Sequence, residues 1–426
     1  MAGLMPAVFR FKPFSRKQKQ ILTWWLPESG VAEHEGIIAD GAIRSGKTVC
    51  MSLSFVIWSM DNFNGHNFAM CGKTVGSFRR NVLAVLKQML PSRGYRLQDK
   101  RSENVLVISR GSVTNYYYIF GGKDEASQDL IQGITLAGVL LDEVVLMPRS
   151  FVEQACARCS VTGSRFWFNC NPEGPEHWFK KEWIDKLEDK NMLYLHFTMD
   201  DNLSLAEEIK TRYRAMFAGV FYRRFVLGEW CVAEGLVYDF DKKLHVTDEL
   251  PNRGAWYISC DYGTLNPFSA GLWCVSNGKA VRVKEYYWSG RDKQRQLTDE
   301  EYYQKLEELA GDRVIQSVIV DPSAASFIAC IRRHGRFSVR KAKNDVLYGI
   351  RLTAAMLRCG VLKIGSSCTD AIREFGLYRW EEKGEVDRVV KENDHAMDDI
   401  RYFCATVLRR DPDVRKKLGG WCDEGF

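Results

Sequence analysis

One run of eight residues near the start of the chain restricts the possible folds more than any other feature. Gly41 to Thr48 reads GAIRSGKT and matches the phosphate-binding loop pattern G-x-x-x-x-G-K-[S/T] at each fixed position. Residues 36–40, GIIAD, predict a short buried strand before the loop, and residues 48–60 predict a helix after it. The N-terminus of such a helix faces the anion. The sequence therefore predicts an α/β fold with a nucleotide-binding loop between a strand and a helix.

The loop residues predict how a nucleotide would be held. The glycines allow a tight turn that points backbone N–H groups at the phosphates. Lys47 is expected to reach the β- and γ-phosphates, and Thr48 to hold Mg²⁺. Arg44 either lends positive charge to the transition state or faces solvent. The residues expected to contact the nucleotide or its Mg²⁺ are Gly41, Arg44, Ser45, Gly46, Lys47 and Thr48.

A strand that ends in two acids supplies the other half of an ATPase site. Asp142 and Glu143 follow the apolar run 139–141, and the ends of such strands are where open α/β sheets bind ligands. We expect Asp142 to bind Mg²⁺ through water and Glu143 to polarise the attacking water. The next predicted strand ends in the sequence FNCNP, residues 168–172. An asparagine there either senses hydrolysis or forms an ordinary Asn-Pro turn.

The length of the chain and its changes in character predict two domains. A chain of 426 residues is too long for one ordinary core. Residues 1–232 are expected to form the first domain, with a parallel-rich sheet and a segment of basic helices at about 200–230. Residues 233–250 carry few element signals and are interpreted as a linker. Residues 251–426 are expected to form a second α/β domain.

Acids stand at separated positions in the second half. Asp261 follows the predicted strand WYISC, Asp321 ends the predicted strand VIQSVIV, and Asp398 lies in a predicted helix three residues after His395. Carboxylates from such positions can converge on a pair of Mg²⁺ or Mn²⁺ ions, as in nucleases. Each acid alone is also an ordinary strand-end or capping residue. Asp399 is adjacent to Asp398, so either could be the ligand, and the spacing from His395 favours Asp398.

Bulk properties limit the class of protein. The net charge of +6 permits a nucleic-acid partner without requiring one. No stretch of 18 uncharged apolar residues predicts a membrane span, and the N-terminus lacks the apolar core of a signal peptide. Thirteen cysteines, mostly single and in apolar segments, predict reduced thiols in a cytosol.

Taken together in order, these motifs resemble those of the large terminase subunit of tailed bacteriophages. The similar segments extend over nearly the whole chain: GAIRSGKT, VLLDE, FNCNPEG, LGEW at 227–230, CDYG, VDPS and HAMDDIRY. The resemblance implies an ATPase of the additional-strand catalytic glutamate class joined to a ribonuclease H-like nuclease. It implies that Asp261, Asp321 and Asp398 are the nuclease acids, with His395 nearby. Asn169 or Asn171 falls in the motif that couples hydrolysis to movement, because Asn169-Cys170 precede Asn171-Pro172 where many relatives have a small residue and Gly.

The resemblance also implies a biological setting. A protein of this family packages double-stranded DNA into a procapsid with ATP, and cuts concatemeric DNA. Its partners are the portal protein, a small terminase subunit and further copies in a ring on the procapsid, and it acts in the host cytoplasm. Two alternatives are a translocase or helicase without a nuclease, and a structural packaging factor whose ATPase has decayed.

Overall fold

The structure, a computed structural model, describes residue 9 and the ranges 11–263, 266–291, 293–381 and 387–418. Within these ranges the chain forms two compact units. The first extends to Arg214 and includes Val220–Val232, and the second consists of Ala215–Gly219 and the chain from Ala233 onward. Each unit has its own sheet and its own core, and the α/β fold class is confirmed.

The first unit is built on an eight-stranded sheet. Its strands are β1 (Gly36–Gly41), β2 (Asn67–Gly72), β3 (Arg96–Lys100), β4 (Val105–Arg110), β5 (Val113–Gly121), β6 (Gly138–Asp142), β7 (Arg165–Asn169) and β8 (Met192–Phe197). They lie in the order β3-β4-β5-β2-β6-β7-β1-β8. The six strands from β5 to β8 in this order pair in parallel, whereas β3, β4 and β5 form an antiparallel extension. The predicted parallel-rich sheet is confirmed.

Helices accompany this sheet. They are α1 (Arg16–Thr23), α2 (Lys47–Asn62), α3 (Val75–Phe78), α4 (Ala84–Met89), α5 (Arg149–Ala157), α6 (Glu207–Met216) and α7 (Gly219–Tyr222). Strand β1 is buried along its whole length, which is typical of a strand covered on both faces. Its neighbouring side chains point to opposite faces: Ile37 belongs to one apolar cluster and Ile38 to another.

The second unit is built on a seven-stranded mixed sheet. Its strands are β9 (Val246–Thr247), β10 (Ala255–Asp261), β11 (Phe268–Ser276), β12 (Lys279–Trp288), β13 (Ile315–Val320), β14 (Val339–Lys341) and β15 (Leu362–Gly365). Strands β10, β11 and β12 are antiparallel neighbours. Strand β13 pairs in parallel with the other side of β10, and β14 with β13. This is the strand order of a ribonuclease H-like fold, as predicted.

The helices of the second unit are α8 (Lys242–His245), α9 (Asp299–Ala310), α10 (Ala325–His334), α11 (Val346–Arg358), α12 (Thr369–Phe375), α13 (His395–Thr406) and α14 (Pro412–Lys417). Helix α13 is buried along nearly its whole length. Its charged residues Asp398, Asp399 and Arg401 therefore lie inside the second unit.

The segment 233–250, which we interpreted as a linker, contains ordered elements. It holds α8 and β9, and β9 pairs in parallel with β15. Phe240 stacks on Phe375 with ring centroids 4.1 Å apart, and the Val237 N–H donates to the Tyr378 carbonyl at 2.9 Å. The segment thus packs as part of the second unit.

No helix within the described ranges combines the length and the apolar character needed to cross a bilayer. The twelve cysteines in those ranges are all free thiols.

Candidate active sites

The loop between β1 and α2 has the backbone conformation that its glycines predict. Gly46 caps α2 with φ of 86°, in the region that favours glycine. A Cβ atom there would lie 2.5 Å from the side-chain nitrogen of Gln18. That Gln18 amide donates to the Ser45 carbonyl at 3.1 Å, so α1 holds the loop in place through a hydrogen bond.

Lys47 is buried and turns back onto the loop. Its Nζ donates to the carbonyls of Gly41 at 3.0 Å and Ala42 at 2.7 Å. It also donates to Ser45 Oγ at 3.3 Å and to Asn171 Oδ1 at 3.2 Å. Burial lowers the pKa of Lys47 to about 8. An ammonium with so little water around it is a strong partner for phosphate oxygens.

Thr48 and Asp142 lie together although 94 residues separate them. The Thr48 hydroxyl donates to Asp142 Oδ1 at 3.0 Å, and burial raises the pKa of Asp142. Strand β7 lies between β1, which leads into the loop, and β6, which ends at Asp142. This inserted strand is the feature that defines the additional-strand class of ATPase.

The two candidate coupling asparagines have different positions. Asn169, at the end of β7, donates from Nδ2 to Asp142 Oδ1 at 2.8 Å and accepts from the Glu143 N–H at 3.0 Å. It thereby orients the Asp142 carboxylate and holds the Glu143 backbone, and Glu143 itself has φ of 60°, which is uncommon for a residue with a side chain. Asn171 instead contacts Lys47. The structure brings both asparagines into the site.

Arg44 lies at the exposed side of the loop. Its Nε donates to the Tyr213 hydroxyl at 2.9 Å, and its carbonyl accepts from Asn202 Nδ2 at 2.7 Å. Tyr213 lies on α6, in the basic segment after β8. The arginine is thus held by this segment.

The predicted acids of the second unit meet at one cavity of about 700 Å³. Asp261 is at the end of β10, Asp321 directly follows β13, and Asp398 is on α13. The cavity is lined by Asp261, Tyr262, Gly263, Asn266, Arg291, Asp321, Asn344, Val346, Lys391, Asp394, His395, Asp398, Arg401 and Tyr402. Four carboxylates around one polar cavity fit the oxygen donors that Mg²⁺ and Mn²⁺ prefer.

Asp261 and His395 form a hydrogen-bonded pair, with His395 Nδ1 and Asp261 Oδ2 2.8 Å apart. Burial raises the pKa of Asp261 to about 6. Burial opposes charge on His395 as well, but the hydrogen bond to Asp261 and the negative charges of Asp261, Asp394 and Glu374 together outweigh it and raise the pKa of the imidazole.

Asp321 is held by three donors. The Tyr402 hydroxyl and Asn344 Nδ2 donate to Oδ2 at 2.5 and 3.1 Å, and the Ser323 N–H donates to Oδ1 at 2.6 Å. Burial opposes ionisation, but these hydrogen bonds outweigh it and lower the pKa of Asp321. The carboxylate is therefore fixed in orientation and charged.

Asp398 and Asp399 point to different environments. Asp398 lines the cavity and accepts from Arg401 NH2 at 3.0 Å. Asp399 is fully buried and accepts from Ser259 Oγ at 2.8 Å, from Ser269, and from Arg282 NH1 at 2.5 Å. Of the two alternatives, only Asp398 is placed where it could hold a metal in this cavity.

Sequence reasoning missed Asp394, which also lines the cavity. Asp394 is the N-cap residue of α13, yet its side chain makes no capping hydrogen bond. An Asp directly before a helix is normally interpreted as a cap, and for this reason Asp394 was not considered as a metal ligand. Asp394 lies four residues before Asp398 and therefore on the same face of the helix. This spacing could have identified it as a residue of the cavity.

A further group of metal-binding residue types comprises Glu300, Cys330 and His334. His334 Nε2 lies 2.6 Å from Glu300 Oε2. The Arg333 guanidinium contacts Glu300 and lies 3.9 Å from the Cys330 sulfur. Because a cation of the protein already occupies this position, we assign no metal to the group.

The segment of basic helices includes Arg223 and Arg224, and side chains of this kind either contact DNA phosphates or cover a solvated helix face. Arg223 is half exposed and pairs with Glu229 at 2.8 Å. Arg224 is 1% exposed and pairs with Glu173 at 3.1 Å. Neither interpretation holds for Arg224, because a guanidinium buried in the unit contacts neither DNA nor solvent.

Comparisons with known proteins identify a matching family and similar solved structures. The family model for the N-terminal part of the T4-like-virus type of terminase large subunit matches residues 38–243. A crystal structure of the large terminase from a thermophilic bacteriophage is 54% identical, with a TM-score of 0.90 over 93% of this chain and 100% of that chain. Structures of the same phage protein with ADP and with ATP-γ-S are 54% and 53% identical, each with a TM-score of 0.87 and the same coverage. No curated protein sequence matches the chain.

Proposed function

The chain belongs to the large terminase family of bacteriophages, and from this premise we propose that it packages viral DNA. It would hydrolyse ATP to move double-stranded DNA into a procapsid and would cut concatemeric DNA. The observation that carries the proposal is the presence of two separate sites in one chain: a phosphate-binding loop joined to Asp142 in the first unit, and converging carboxylates in the second. We assign the ATPase to residues 1–232, with the segment 200–230 as a lid, and the nuclease to residues 251–426, preceded by the segment 233–250.

In the ATPase site, each residue would have a defined role. Backbone N–H groups of the loop and the Lys47 ammonium would bind the phosphates, and Thr48 and Asp142 would hold Mg²⁺, which would neutralise phosphate charge when bound. Glu143 would orient the attacking water and accept its proton. Arg44 would leave Tyr213 to contact the γ-phosphate. Asn171 would exchange its contact with Lys47 for one near the nucleotide.

In the nuclease site, Asp261, Asp321 and Asp398 would hold two Mg²⁺ or Mn²⁺ ions, with His395 nearby. When bound, the ions supply positive charge that stabilises the transition state of phosphodiester hydrolysis. His395 orients Asp261, and Tyr402 orients Asp321. The chain itself therefore fixes the direction of the carboxylates before any metal arrives.

A second cavity of about 660 Å³ shares residues with the first and suits the backbone of the DNA. The two cavities have Asn266, Arg291, Lys391 and His395 in common. Four basic side chains line the second: Arg291, Lys293, Arg373 and Lys391. Such side chains contact phosphates without reading sequence.

The partners of the family complete the proposal. The protein would act in the host cytoplasm, with the portal protein and a small terminase subunit, as a ring of several copies on the procapsid.

Three alanine variants of the full chain test the proposal. Lys47→Ala and Glu143→Ala should each abolish ATP turnover and leave Mn²⁺-dependent cleavage of plasmid DNA intact. Asp321→Ala should abolish cleavage and leave turnover nearly intact, because the two sites lie in separate units.

The outcomes separate the alternatives. ATP turnover with no cleavage by the folded, unsubstituted protein favours a translocase without a nuclease. Absence of turnover in that protein favours a packaging factor with a decayed ATPase. Turnover that survives Lys47→Ala or Glu143→Ala contradicts the assigned ATPase site.

A further inference from the structure

We infer that a buried ion pair between Glu173 and Arg224 transmits the nucleotide state of the ATPase site to the segment 224–231. This segment is the last stretch of the first unit before the chain enters the second unit at Ala233. The inference rests on the proposed function, since it requires a nucleotide that binds and changes. Glu173 and Arg224 are positioning residues, because the ion pair and the bond from Arg224 to the Cys231 carbonyl join protein groups of the first unit.

Both ends of the segment, Arg224 and Cys231, contact Glu173. Arg224 NH1 lies 3.1 Å from Glu173 Oε2, with 1% and 13% of the two side chains exposed. Arg224 also donates from Nε to the Cys231 carbonyl at 3.1 Å, and the Cys231 N–H donates to the Glu173 carbonyl at 3.3 Å. Because separating a buried guanidinium from its carboxylate is costly, the segment moves when Glu173 moves.

Glu173 is connected to the nucleotide site through a short, stiff piece of chain. Lys47 Nζ donates to Asn171 Oδ1 at 3.2 Å. Phosphates bound in the loop attract Nζ and remove this bond. Pro172 lies between Asn171 and Glu173, and its ring fixes φ, which limits how far the backbone can absorb a change at Asn171 by rotation. A displacement at Asn171 is therefore passed on to Glu173.

The same segment contacts the phosphate-binding loop directly. The Ile43 N–H donates to the Phe225 carbonyl at 2.9 Å, and Trp230 Nε1 donates to Asp40 Oδ2 at 2.7 Å. Gly228 lies so close that a Cβ atom would be 2.9 Å from the Ala42 nitrogen. The segment therefore contacts the strand end, the loop and the coupling motif, and the ion pair and the Cys231 N–H link it to the coupling motif.

Hydrogen exchange of the full chain with ADP and with ATP-γ-S tests the inference. In the unsubstituted protein, nucleotide should protect amides of 41–48, and amides of 224–231 should exchange at different rates in the two nucleotide states. Glu173→Gln keeps the size of the side chain but removes its charge. We expect this variant to keep the protection of 41–48 and to lose the difference at 224–231.

Glu229→Gln is the matched control. It breaks the Arg223–Glu229 pair at 2.8 Å in the same segment, but both side chains there are about half exposed, at 55% and 43%. It should keep the nucleotide-dependent difference. Arg224→Met removes the other partner of the ion pair and should give the same result as Glu173→Gln. Thermal midpoints show which of the two variants is folded, and one folded variant is enough to test the inference.

Each other outcome has one meaning. A nucleotide-dependent difference at 224–231 that persists in a folded Glu173→Gln or Arg224→Met overturns the inference. A difference that is absent from the unsubstituted protein, with 41–48 protected, overturns it as well and leaves the proposed ATPase standing. Lack of any protection at 41–48 in the unsubstituted protein contradicts nucleotide binding itself, and with it the proposed function.

Discussion

Asp399 is buried inside the second unit, where polar side chains and the Arg282 guanidinium balance its negative charge. Arg282 donates to it from NH1 at 2.5 Å and from NH2 at 3.0 Å, and both side chains are fully buried. Gly271 makes room for the guanidinium, since a Cβ atom there would lie 2.1 Å from NH1. Glu285 Oε2 also lies 3.4 Å from Arg282 Nε, so Asp399 is the nearer of two carboxylates that balance the buried guanidinium, and its loss leaves that charge only partly compensated.

We predict that Asp399→Asn lowers the free energy of unfolding by about 3–5 kcal/mol, the usual cost of breaking a buried ion pair. Urea unfolding of the full chain measures the change. Asp248→Asn, at an exposed position, is the control and should change stability by less than about 0.5 kcal/mol. Equal stability of the two variants would contradict the view that the Arg282 charge depends on Asp399.

Asp99 on β3 provides a pH-dependent contact in the first unit. Arg79 NH1 donates to its Oδ1 at 2.9 Å and Lys87 Nζ to its Oδ2 at 2.5 Å. Burial alone would raise the pKa of Asp99, but these hydrogen bonds outweigh it and hold the pKa below its usual value. A carboxyl group with a lowered pKa stabilises the fold above its unfolded-state pKa of about 3.9 and loses that effect as the pH falls through the folded-state pKa.

We therefore predict that Asp99→Asn lowers the thermal midpoint at pH 7, and that the difference from the unsubstituted protein shrinks as the pH falls below about 4. Differential scanning fluorimetry over a series of pH values measures it. Glu103→Gln, an exposed neighbour 3.6 Å from Lys100, should show little difference at any pH. A difference for Asp99→Asn that is independent of pH would exclude the ionised carboxylate as its cause.

At the scale of elements, the turn between β11 and β12 shows how closely this chain packs around a hairpin. Asn277 and Gly278 both have positive φ, 51° and 66°, as the Asn-Gly sequence predicts for a two-residue hairpin turn. Helix α14 covers the turn: Lys417 Nζ donates to the carbonyls of both residues at 3.0 Å. A Cβ atom on Gly278 would lie 2.8 Å from the Cβ atom of Asp413.

Gly278→Ala should therefore cost more stability than Gly111→Ala. Gly111 forms the turn between β4 and β5 with φ of 59° and has open space around its Cα atom. Its substitution adds only the left-handed backbone penalty of roughly 1–2 kcal/mol, whereas Gly278→Ala adds a steric clash. Urea unfolding of both variants measures the difference, and equal costs would show that α14 yields without penalty.

The elements also show what sequence reasoning could reach. Motifs contiguous in sequence, such as the one around Lys47, predicted their strand, loop and helix correctly because local backbone geometry decides them. The spacing from His395 favours Asp398 over Asp399 but does not decide between them, because neighbours on a helix point about 100° apart and tertiary packing determines which one faces the cavity. The burial of Arg224 could not be predicted, because charged residues rarely lie buried unless paired and its partner Glu173 is 51 residues away. Long-range pairing of this kind leaves no local pattern.

At the scale of the whole molecule, the boundary between the units lies before the segment 233–250. Tyr238 is 2% exposed, and Phe240 stacks on Phe375. A fragment that begins at residue 251 would uncover both contacts and the edge of β15. We therefore predict that the fragment 233–426 folds and cleaves DNA with Mn²⁺, and that the fragment 251–426 has a lower thermal midpoint. Equal midpoints of the two fragments would show that the segment adds nothing to the second unit.

Strand β7 determines the distance between β1, which leads into the phosphate-binding loop, and β6, which ends at Asp142. Asn169 stands opposite Ala39 on one side and opposite Asp142 on the other, and neighbouring strands lie about 4.8 Å apart. The backbones of β1 at Ala39 and of β6 at Asp142 are therefore two strand spacings apart, roughly 10 Å, and backbone hydrogen bonds to β7 set this distance. Side chains in the cores on either side can diverge among relatives without altering that separation. Deleting one residue from β7 would shift the register with β1 and with β6 at once, so the relative positions of the two strands that carry the site depend on the length of β7.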